Sequence, residues 1–330
     1  MHPKFQNLLC CPKTQETLCV KPSEIRPNGM IVSGELVSQS GRCYPIVRCI
    51  PRFVEVEQYA ASFGYEWARW PRVQFETENM GRPMAGHTTR MWETITQVSE
   101  DKELGKTIVD FGCGSGRFLD VIRRKGGQAV GIDLSQAVEM ARLNFADDPD
   151  VLIVQGDILS SPFRSGVFHG GYTIGVLHHT PDPLRGLTEL TRTVRSGGWV
   201  ACSVYPEKGF YAYPSVARFR RLHNRLKSIF GYNPALAYAY FSSYVLAPLI
   251  TRGKRIPRLN RWLEYVERNW LVVLNLPDIR WRLLDTFDAI TPSIATTHTG
   301  NEVRGWMEKV GCTNLKKTGW GETSVMGTKV

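Results

Sequence analysis

The chain is organised around Val109-Asp110-Phe111-Gly112-Cys113-Gly114-Ser115-Gly116-Arg117-Phe118-Leu119, where a β-branched run, three closely spaced glycines and the start of a helical pattern follow one another. A side chain at position 112, 114 or 116 would hinder a positive φ or block a ligand that approaches the backbone. The start of the helix aims free N–H groups at the same ligand. The spacing G-x-G-x-G differs from the G-x-G-x-x-G of dinucleotide sites. The stretch therefore predicts a strand, a ligand-binding turn and a helix that are not built for a pyrophosphate.

Around this turn, residues 105–205 alternate short apolar runs with helical patterns, which is typical of a parallel sheet with crossover helices. Residues 299–330 return to the same character, with one helix and one or two strands. Five strands in this rhythm build half or more of a doubly wound sheet. The sequence therefore predicts an α/β fold with a mostly parallel, Rossmann-like sheet. The predicted strands are 107–111, 129–133, 151–154, 168–176 and 199–205, and the predicted helices are 117–124, 135–145 and 183–194.

Three acidic residues, Asp110, Asp133 and Asp157, follow one another at the ends of successive predicted strands. The carboxyl ends of parallel strands meet at one edge of a sheet, where ligands bind. A carboxylate at position 133 is placed to accept both hydroxyls of a ribose, and one at position 157 to accept from the amine of a purine. The pattern indicates a nucleoside-containing ligand.

Over about residues 105–205 the sequence resembles the class I S-adenosylmethionine-dependent methyltransferases. The resemblance rests on the glycine turn and on three further motifs, Gly131-Ile132-Asp133-Leu134-Ser135, Gly156-Asp157-Ile158 and Gly175-Val176-Leu177-His178-His179. The resemblance implies S-adenosylmethionine as the cofactor, with NAD excluded. It also implies that the glycine turn holds the methionine part, Asp133 the ribose, and Asp157 with Ile158 the adenine. The implied cofactor-binding residues are Asp110, Gly112, Gly114, Gly116, Asp133, Leu134, Asp157, Ile158 and Gly175.

Three histidines are candidates for a catalytic base. His178 and His179 follow the fourth predicted strand, and a pKa near ~6.5 suits proton transfer at neutral pH. In proteins that this chain resembles, the segment before the last helix approaches the active site, which makes His298 the third candidate. The alternatives are a structural role in the loop or the cofactor wall for His178 and His179, and a capped helix start near His298.

Residues 1–55 hold five of the eight cysteines and short apolar runs, which predicts a small β-rich module. Leu8–Thr17 and residues 41–54 resemble the zinc-ribbon module of a tRNA-methyltransferase activator. Where that module has two C-x-x-C knuckles, this chain reads Cys11-Pro12-Lys13-Thr14 and Val37-Ser38-Gln39-Ser40. Because tetrahedral zinc needs four ligands, we predict a degenerate module without metal. The alternative is an irregular site formed by Cys11, Cys19, Cys43 and Cys49.

Residues 56–104 are predicted to form a helical cap over the cofactor, in which Tyr59, Phe63 and Trp67 share one helix face. Residues 206–298 are predicted to be a basic, aromatic helical insertion after the fifth strand. Positions 228 to 251 carry no charged residue. Gly, Asn and Pro interrupt that run, so we expect a buried helix there and no transmembrane segment.

The net charge of +10 is concentrated in the insertion, since residues 205 to 285 hold 14 Lys or Arg and 5 Asp or Glu. Arginine suits carboxylates and phosphates through its bidentate fork. We therefore expect Arg218, Arg221 and Arg225 to bind an anionic acceptor. A solvated helix face is the alternative.

The sequence thus predicts methyl transfer from S-adenosylmethionine to an O or N nucleophile of a small, anionic biosynthetic intermediate. An RNA methyltransferase is one alternative, but the loop after the fourth strand lacks an Asn-Pro-Pro-Tyr type motif, so we expect no nucleic-acid partner. A non-catalytic cofactor-binding scaffold is a second alternative, and an enzyme at a membrane surface is a variant of the main prediction. The start of the chain has no signal-peptide pattern, which favours the cytoplasm.

Overall fold

The structure, a computed structural model, describes residues 1–54, 60–98 and 105–330. Within these residues the strands form two sheets, a small antiparallel one near the N-terminus and a larger, mostly parallel one. The small sheet has the order β1-β2-β3-β4. Its strands are β1 (Leu18–Ile25), β2 (Ile31–Ser38), β3 (Cys43–Val47) and β4 (Ile50–Pro51).

The larger sheet confirms the predicted α/β fold. Its order among the described residues is β10-β11-β9-β8-β5-β6-β7, in which β5 to β9 run parallel and β11 lies antiparallel between β10 and β9. The chain leaves β5 in one direction and β8 in the other, so a crevice opens at their carboxyl ends. The strands are β5 (Thr107–Phe111), β6 (Gln128–Asp133), β7 (Val151–Gln155), β8 (Phe168–Ile174), β9 (Val194–Ser203), β10 (Cys312–Lys317) and β11 (Ser324–Lys329).

Helices cover both faces of the larger sheet because successive strand residues point to opposite sides. In β5, Ile108 packs with Trp92 and Phe118, whereas Val109 belongs to a second core with Leu187. The helices before the insertion are α1 (Ala61–Arg69), α2 (His87–Thr96), α3 (Arg117–Arg124), α4 (Ala137–Asn144) and α5 (Pro183–Thr193). Those that follow are α6 (Pro214–Phe230), α7 (Asn233–Phe241), α8 (Ala247–Gly253), α9 (Pro257–Asn269), α10 (Ile279–Ile290) and α11 (Gly300–Lys309).

The N-terminal module docks on the β7 edge of the larger sheet. Phe53 N donates to Gln155 O at 2.8 Å, and Arg52 forms an ion pair with Glu139. Cys11 lies in the shared core, with its Sγ 3.0 Å from the Tyr44 hydroxyl. In the described parts of the chain, no three His, Cys, Asp or Glu side chains are grouped to hold a metal ion. The β-rich character of the module is confirmed, while its likeness to a zinc ribbon and its metal content stay predictions.

The insertion is helical, but the helices over 228–251 are buried on one side only, so the expected buried helix is wrong for the side chains on the other side. Helices α7 and α8 are joined there by the π-helical turn Ser242–Leu246. Small residues such as Ala235 and Ala239 are buried, whereas Phe241 is 50% exposed and Leu249 is 58% exposed. The small residues permit the close approach of α10, so the bulky ones are left outside. Among the described helices, none combines the length and apolarity that crossing a membrane requires.

We predict that Gly170→Ala destabilises the fold, because a Cβ at this position of β8 would overlap the indole of Trp199 on β9. Overpacking of this kind costs about 1 to 3 kcal/mol. The matched control is Gly305→Ala in α11, where a Cβ meets no atom within 4 Å and the loss of glycine stabilises the helix by up to about 1 kcal/mol. Denaturant unfolding of both variants measures the difference, and equal free energies of unfolding would contradict the packing described for Gly170.

Candidate active site

A cavity of about 390 Å³ lies at the carboxyl ends of β5, β6 and β8, where the sheet order reverses. The glycine turn after β5 forms its floor, and α1, α10 and the segment before β11 contribute the other walls. This volume falls in the range of pockets that hold drug-sized ligands. The cavity is therefore where the sequence-predicted site belongs in this fold.

The glycine turn fits closely against its surroundings. Gly112 has φ +88°, and a Cβ there would overlap the side chain of Val176. Gly114 has φ +53°, and a Cβ there would lie 2.9 Å from Nε1 of Trp67. Glycine at these positions therefore lets Val176 and Trp67 pack directly on the backbone of the turn, and Gly112 and Gly114 both line the cavity.

Asp133 joins the turn to the end of β6. Its Oδ2 accepts from Gly114 N at 2.9 Å, and its Oδ1 accepts from Ser135 N at 2.9 Å and from Ser135 Oγ at 2.8 Å. Burial raises the pKa of this carboxyl, while the hydrogen bonds from Ser135 and Gly114 act in the opposite direction. These bonds fix a carboxylate at the cavity wall in the place predicted for ribose recognition.

Six of the nine predicted cofactor residues line the cavity, namely Gly112, Gly114, Asp133, Leu134, Ile158 and Gly175. The other three, as the structure describes them, support the cavity from outside its lining. Asp110 accepts from the Tyr172 hydroxyl at 3.1 Å, and burial raises its pKa to about 8. Gly116 caps α3 against Phe145, and Asp157 Oδ1 accepts from Leu159 N at 2.9 Å. Direct contact of these three residues with a cofactor stays a prediction.

Helix α1 lies within the residues predicted to form a helical cap, and its Phe63 and Trp67 line the cavity. A cap over the cofactor stays a prediction. Trp67 lies against the turn at Gly114, and the ring of Phe63 is 5.0 Å from that of His179, centroid to centroid. Tyr59, the third residue of the predicted face, lies outside the described residues. Helix α1 therefore closes the cavity over both the turn and the histidine.

Of the three candidate bases, His179 lines the cavity. Its Nδ1 lies 2.7 Å from the carbonyl oxygen of Ile294, so Nδ1 carries the proton and Nε2 the lone pair of the neutral ring. Burial lowers the pKa of His179, although nearby Asp288 acts against this shift. A neutral imidazole at the cavity wall is suited to accept a proton.

His178 and His298 lie elsewhere in the described structure. His178 is fully buried, its Nδ1 accepts from Tyr205 N at 3.2 Å, and burial holds its pKa well below the usual range. His298 contacts Glu302 through Nδ1 at 3.0 Å and Thr296 through Nε2 at 2.8 Å. Neither ring belongs to the lining of the cavity, so their geometry favours structural roles.

The structure does not bring Arg218, Arg221 and Arg225 to this cavity. All three are exposed on α6 as described, and Arg218 stacks on Trp270 at 4.7 Å. Helix α6 turns these side chains outward while Val216 packs into the core of the insertion. The guanidinium that does line the cavity is that of Arg117, at the start of α3.

Sequence reasoning missed three carboxyl groups on the wall of the cavity that α1 and α10 form, which we call the acceptor side. They belong to Glu66, Asp285 and Asp288. Burial, and then Asp288, raises the pKa of Asp285 to about 7. Burial also raises the pKa of Glu66, with Asp288 and Asp285 adding to the shift. A signal was present in α10, where two acidic residues three positions apart lie among the apolar residues of the second half of the helix. Glu66 gives no such signal because its burial depends on α10.

Two acceptor atoms in this region have no hydrogen-bond partner among the described residues, Oε2 of Glu66 and Oε1 of Gln74. Both side chains line the cavity, and they are 1% and 5% exposed. Buried polar atoms without partners are uncommon in native proteins. These atoms are therefore suited to accept hydrogen bonds from a ligand.

Comparisons with known proteins relate part of this chain to methyltransferases. Residues 109–202 match the family described as a methyltransferase domain. A ubiquinone biosynthesis O-methyltransferase of Nitrosomonas europaea is 31% identical over 166 residues, which are 48% of this chain and 66% of that protein. A demethylmenaquinone methyltransferase of Lactococcus lactis is 31% identical over 119 residues, which are 34% of this chain and 47% of that protein. The chain spans less than two thirds of the length of these curated relatives.

One similar solved structure is described as a "complex between the Haloferax volcanii Trm112 methyltransferase activator and the putative methyltransferase". The TM-score is 0.44 and the sequence identity is 16%, and the match covers 81% of this chain and 96% of that chain. The sheet order, the glycine turn and the family match over residues 109–202 indicate a class I S-adenosylmethionine-dependent methyltransferase domain in this part of the chain. The match to a methyltransferase domain bears out S-adenosylmethionine as the predicted cofactor. The Asp133 carboxylate at the cavity wall fits this cofactor, because a carboxylate that already accepts from Gly114 N keeps further lone pairs for the hydroxyls of a ribose.

We predict that Asp133→Asn weakens S-adenosylmethionine binding at least ten-fold, because hydrogen bonds to a charged group contribute about 1.5 to 3 kcal/mol. The matched control is Asp182→Asn, since exposed Asp182 only caps α5 by accepting from Arg185 N at 2.9 Å. Titration calorimetry measures both dissociation constants. An unchanged value for the Asp133 variant would remove this carboxylate from the cofactor site.

Proposed function

We propose that this chain transfers the methyl group of S-adenosylmethionine to an oxygen or nitrogen nucleophile of a small organic acceptor. The observation that carries the proposal is the burial of the acceptor side of the cavity, where Glu66, Trp281 and His179 are 1%, 2% and 5% exposed. A polymer substrate needs an open groove, whereas a small molecule fits an enclosed cavity. The relatives named for ubiquinone biosynthesis and demethylmenaquinone support the same class of acceptor.

The turn residues Gly112 and Gly114, with Asp133 and Ile158, would hold the cofactor. When bound, the cofactor supplies a sulfonium-activated methyl group, so the protein has to position a nucleophile and remove a proton. Phe63 and Trp67 of α1 line the cavity and would keep water from the acceptor once both ligands are bound. Dry surroundings strengthen every charge interaction with the acceptor.

His179 is the base that we propose. Its Nδ1–H is committed to Ile294 O, which orients the ring and leaves the Nε2 lone pair as the proton acceptor. Because burial lowers its pKa, the ring is neutral and ready to accept a proton at pH 7. Asp288, which accepts from the Tyr205 hydroxyl at 2.9 Å, is placed to stabilise the imidazolium that forms.

The acceptor that suits this cavity donates hydrogen bonds or carries positive charge, which replaces the anionic acceptor expected from the sequence. Glu66, Asp285 and Asp288 outnumber Arg117, and the unpartnered oxygens of Glu66 and Gln74 call for donors. A carboxylate or phosphate in the same place would meet the unpartnered amide oxygen of Gln74 and each carboxyl group that is ionised, and both repel an anion. We therefore propose an acceptor with hydroxyl or amino groups on this side.

The proposed function is tested by incubating the protein with methyl-labelled S-adenosylmethionine and, separately, the small-molecule and RNA fractions of a cell extract. Label is expected in the small-molecule fraction and is expected to be lost with Asp133→Asn. Label in the RNA fraction would establish the alternative acceptor class. Label in neither fraction, with S-adenosylmethionine bound, would favour a non-catalytic role.

We predict that His179→Gln lowers kcat by about 10² to 10⁴, the usual contribution of a general base, without changing the dissociation constant of S-adenosylhomocysteine. In the parent, a base with a lowered pKa gives a rate that rises with pH through that pKa and is level at neutral pH. The matched control is His298→Gln, whose nitrogens contact Glu302 and Thr296. Label transfer at a series of pH values measures the profiles, and an unchanged profile for the His179 variant would assign proton removal to another group.

A further inference from the structure

Helices α7 and α8, with the π-helical turn between them, expose five large side chains on one side, while Ile250 and the small residues on the other side are buried. Ser242 and Ser243 are buried beside Ala239 and Ala247, and Ser242 Oγ donates to Val272 O at 2.7 Å. The exposed side chains are 37% to 58% accessible. We call them the apolar stripe, which consists of Tyr240, Phe241, Tyr244, Val245 and Leu249.

The spacing of the apolar stripe places it on one side of the helical run. Residues separated by three or four positions lie on one face, as do 240, 241, 244, 245 and, one turn later, 249. Tyr240 and Tyr244 are stacked at 6.1 Å between ring centroids. Amphipathic helices of soluble domains direct such a face into the core, whereas this one directs it to the surface. The stripe is therefore built to contact something outside the chain.

Basic residues flank the apolar stripe at both ends. Positions 228 to 251 carry no charge, while exposed Arg225 precedes them and exposed Arg252 and Arg255 follow. Helix α9 continues the pattern, since its exposed residues include Trp262 and Tyr265. Basic Arg258, Arg261 and Arg268 are exposed on the same helix. An apolar face framed by Arg, Trp and Tyr is typical of helices that lie in a membrane interface.

The charge near the apolar stripe favours an anionic lipid surface over a second copy of the chain as its binding partner. From 214 to 270 the sequence holds 11 Lys or Arg and 2 Asp or Glu. A second copy of the chain docked through the same face would bring these cations together, which is unfavourable. An anionic lipid surface provides both the negative charge and the apolar layer that the two kinds of side chain need.

We propose that the apolar stripe and the arginines beside it form a docking surface for an anionic lipid bilayer, with α7 and α8 lying in the plane of the interface. Phe241, Tyr244 and Leu249 enter the boundary between headgroups and acyl chains, while Arg252 and Arg255 contact the headgroup phosphates. The inference goes beyond the proposed methyl transfer and does not depend on it.

The full chain is tested by cosedimentation with vesicles of phosphatidylcholine alone and of phosphatidylcholine with phosphatidylglycerol in about a 7:3 ratio. Binding is expected to the anionic vesicles and to weaken steeply between about 0.1 M and about 1 M salt, because salt screens the arginines. Phe241→Gln with Leu249→Gln is expected to lower the affinity at least ten-fold. Arg252→Glu with Arg255→Glu is expected to have a similar effect.

Matched control variants test whether exposed apolar or basic residues elsewhere in the fold affect vesicle binding as much as the apolar stripe and its arginines do. Leu143→Gln with Met80→Gln replaces side chains that are 67% and 76% exposed in other parts of the fold, and Lys309→Glu with Lys316→Glu reverses exposed charges away from the insertion. These variants are expected to bind the vesicles like the parent, and thermal unfolding verifies that all four remain folded. No binding by the parent, or equal binding by stripe and control variants, overturns the proposal. A dimer that the stripe variant dissociates, without vesicle binding, assigns the surface to a second copy.

Discussion

The turn after β5 leaves no room for side chains, and the rest of the site depends on that constraint. Three elements approach it closely, through Val176 after β8, Trp67 on α1 and Phe145 at the end of α4. Asp133 at the end of β6 then fixes the turn by accepting from Gly114 N. Parallel pairing of β5 with β6 and β8 brings these groups to one edge. The cavity therefore exists because glycine allows several elements to meet around bare backbone.

The acceptor side of the cavity differs from the glycine turn because it contains titratable side chains, whose charged forms are costly to bury. Glu66 and Asp285 lie near Asp288 and Arg117, and burial raises the pKa of both Glu66 and Asp285. When apolar residues replace such buried charged groups, the protein is often as stable as before or more stable. Buried titratable groups that line a cavity are typical of functional sites. The sheet thus provides the wall that carries the glycine turn and Asp133, while α1 and α10 provide the wall that carries the buried carboxyl groups.

Patterns that act over a few residues could be predicted from the sequence. The alternation of strands and helices, the glycine turn and Asp133 follow from local spacing, because backbone conformation and side-chain periodicity are decided by near neighbours. The helix predicted at 117–124 has these bounds in the structure, and the strand predicted at 107–111 does as well. The lack of zinc knuckles in the N-terminal module is also a property of the sequence.

By itself, the sequence determined the α/β fold, the place of the cofactor turn and the position of a basic, aromatic insertion. Only the tertiary structure decided which side chains face the cavity. It separated adjacent His178 and His179, since one is enclosed behind Tyr205 and the other lines the cavity. It turned Arg218, Arg221 and Arg225 outward and brought Glu66 to Asp285 from a distant part of the chain. The physical reason is that the direction of a helix face is set by what packs against it, and those partners come from residues far away in the sequence.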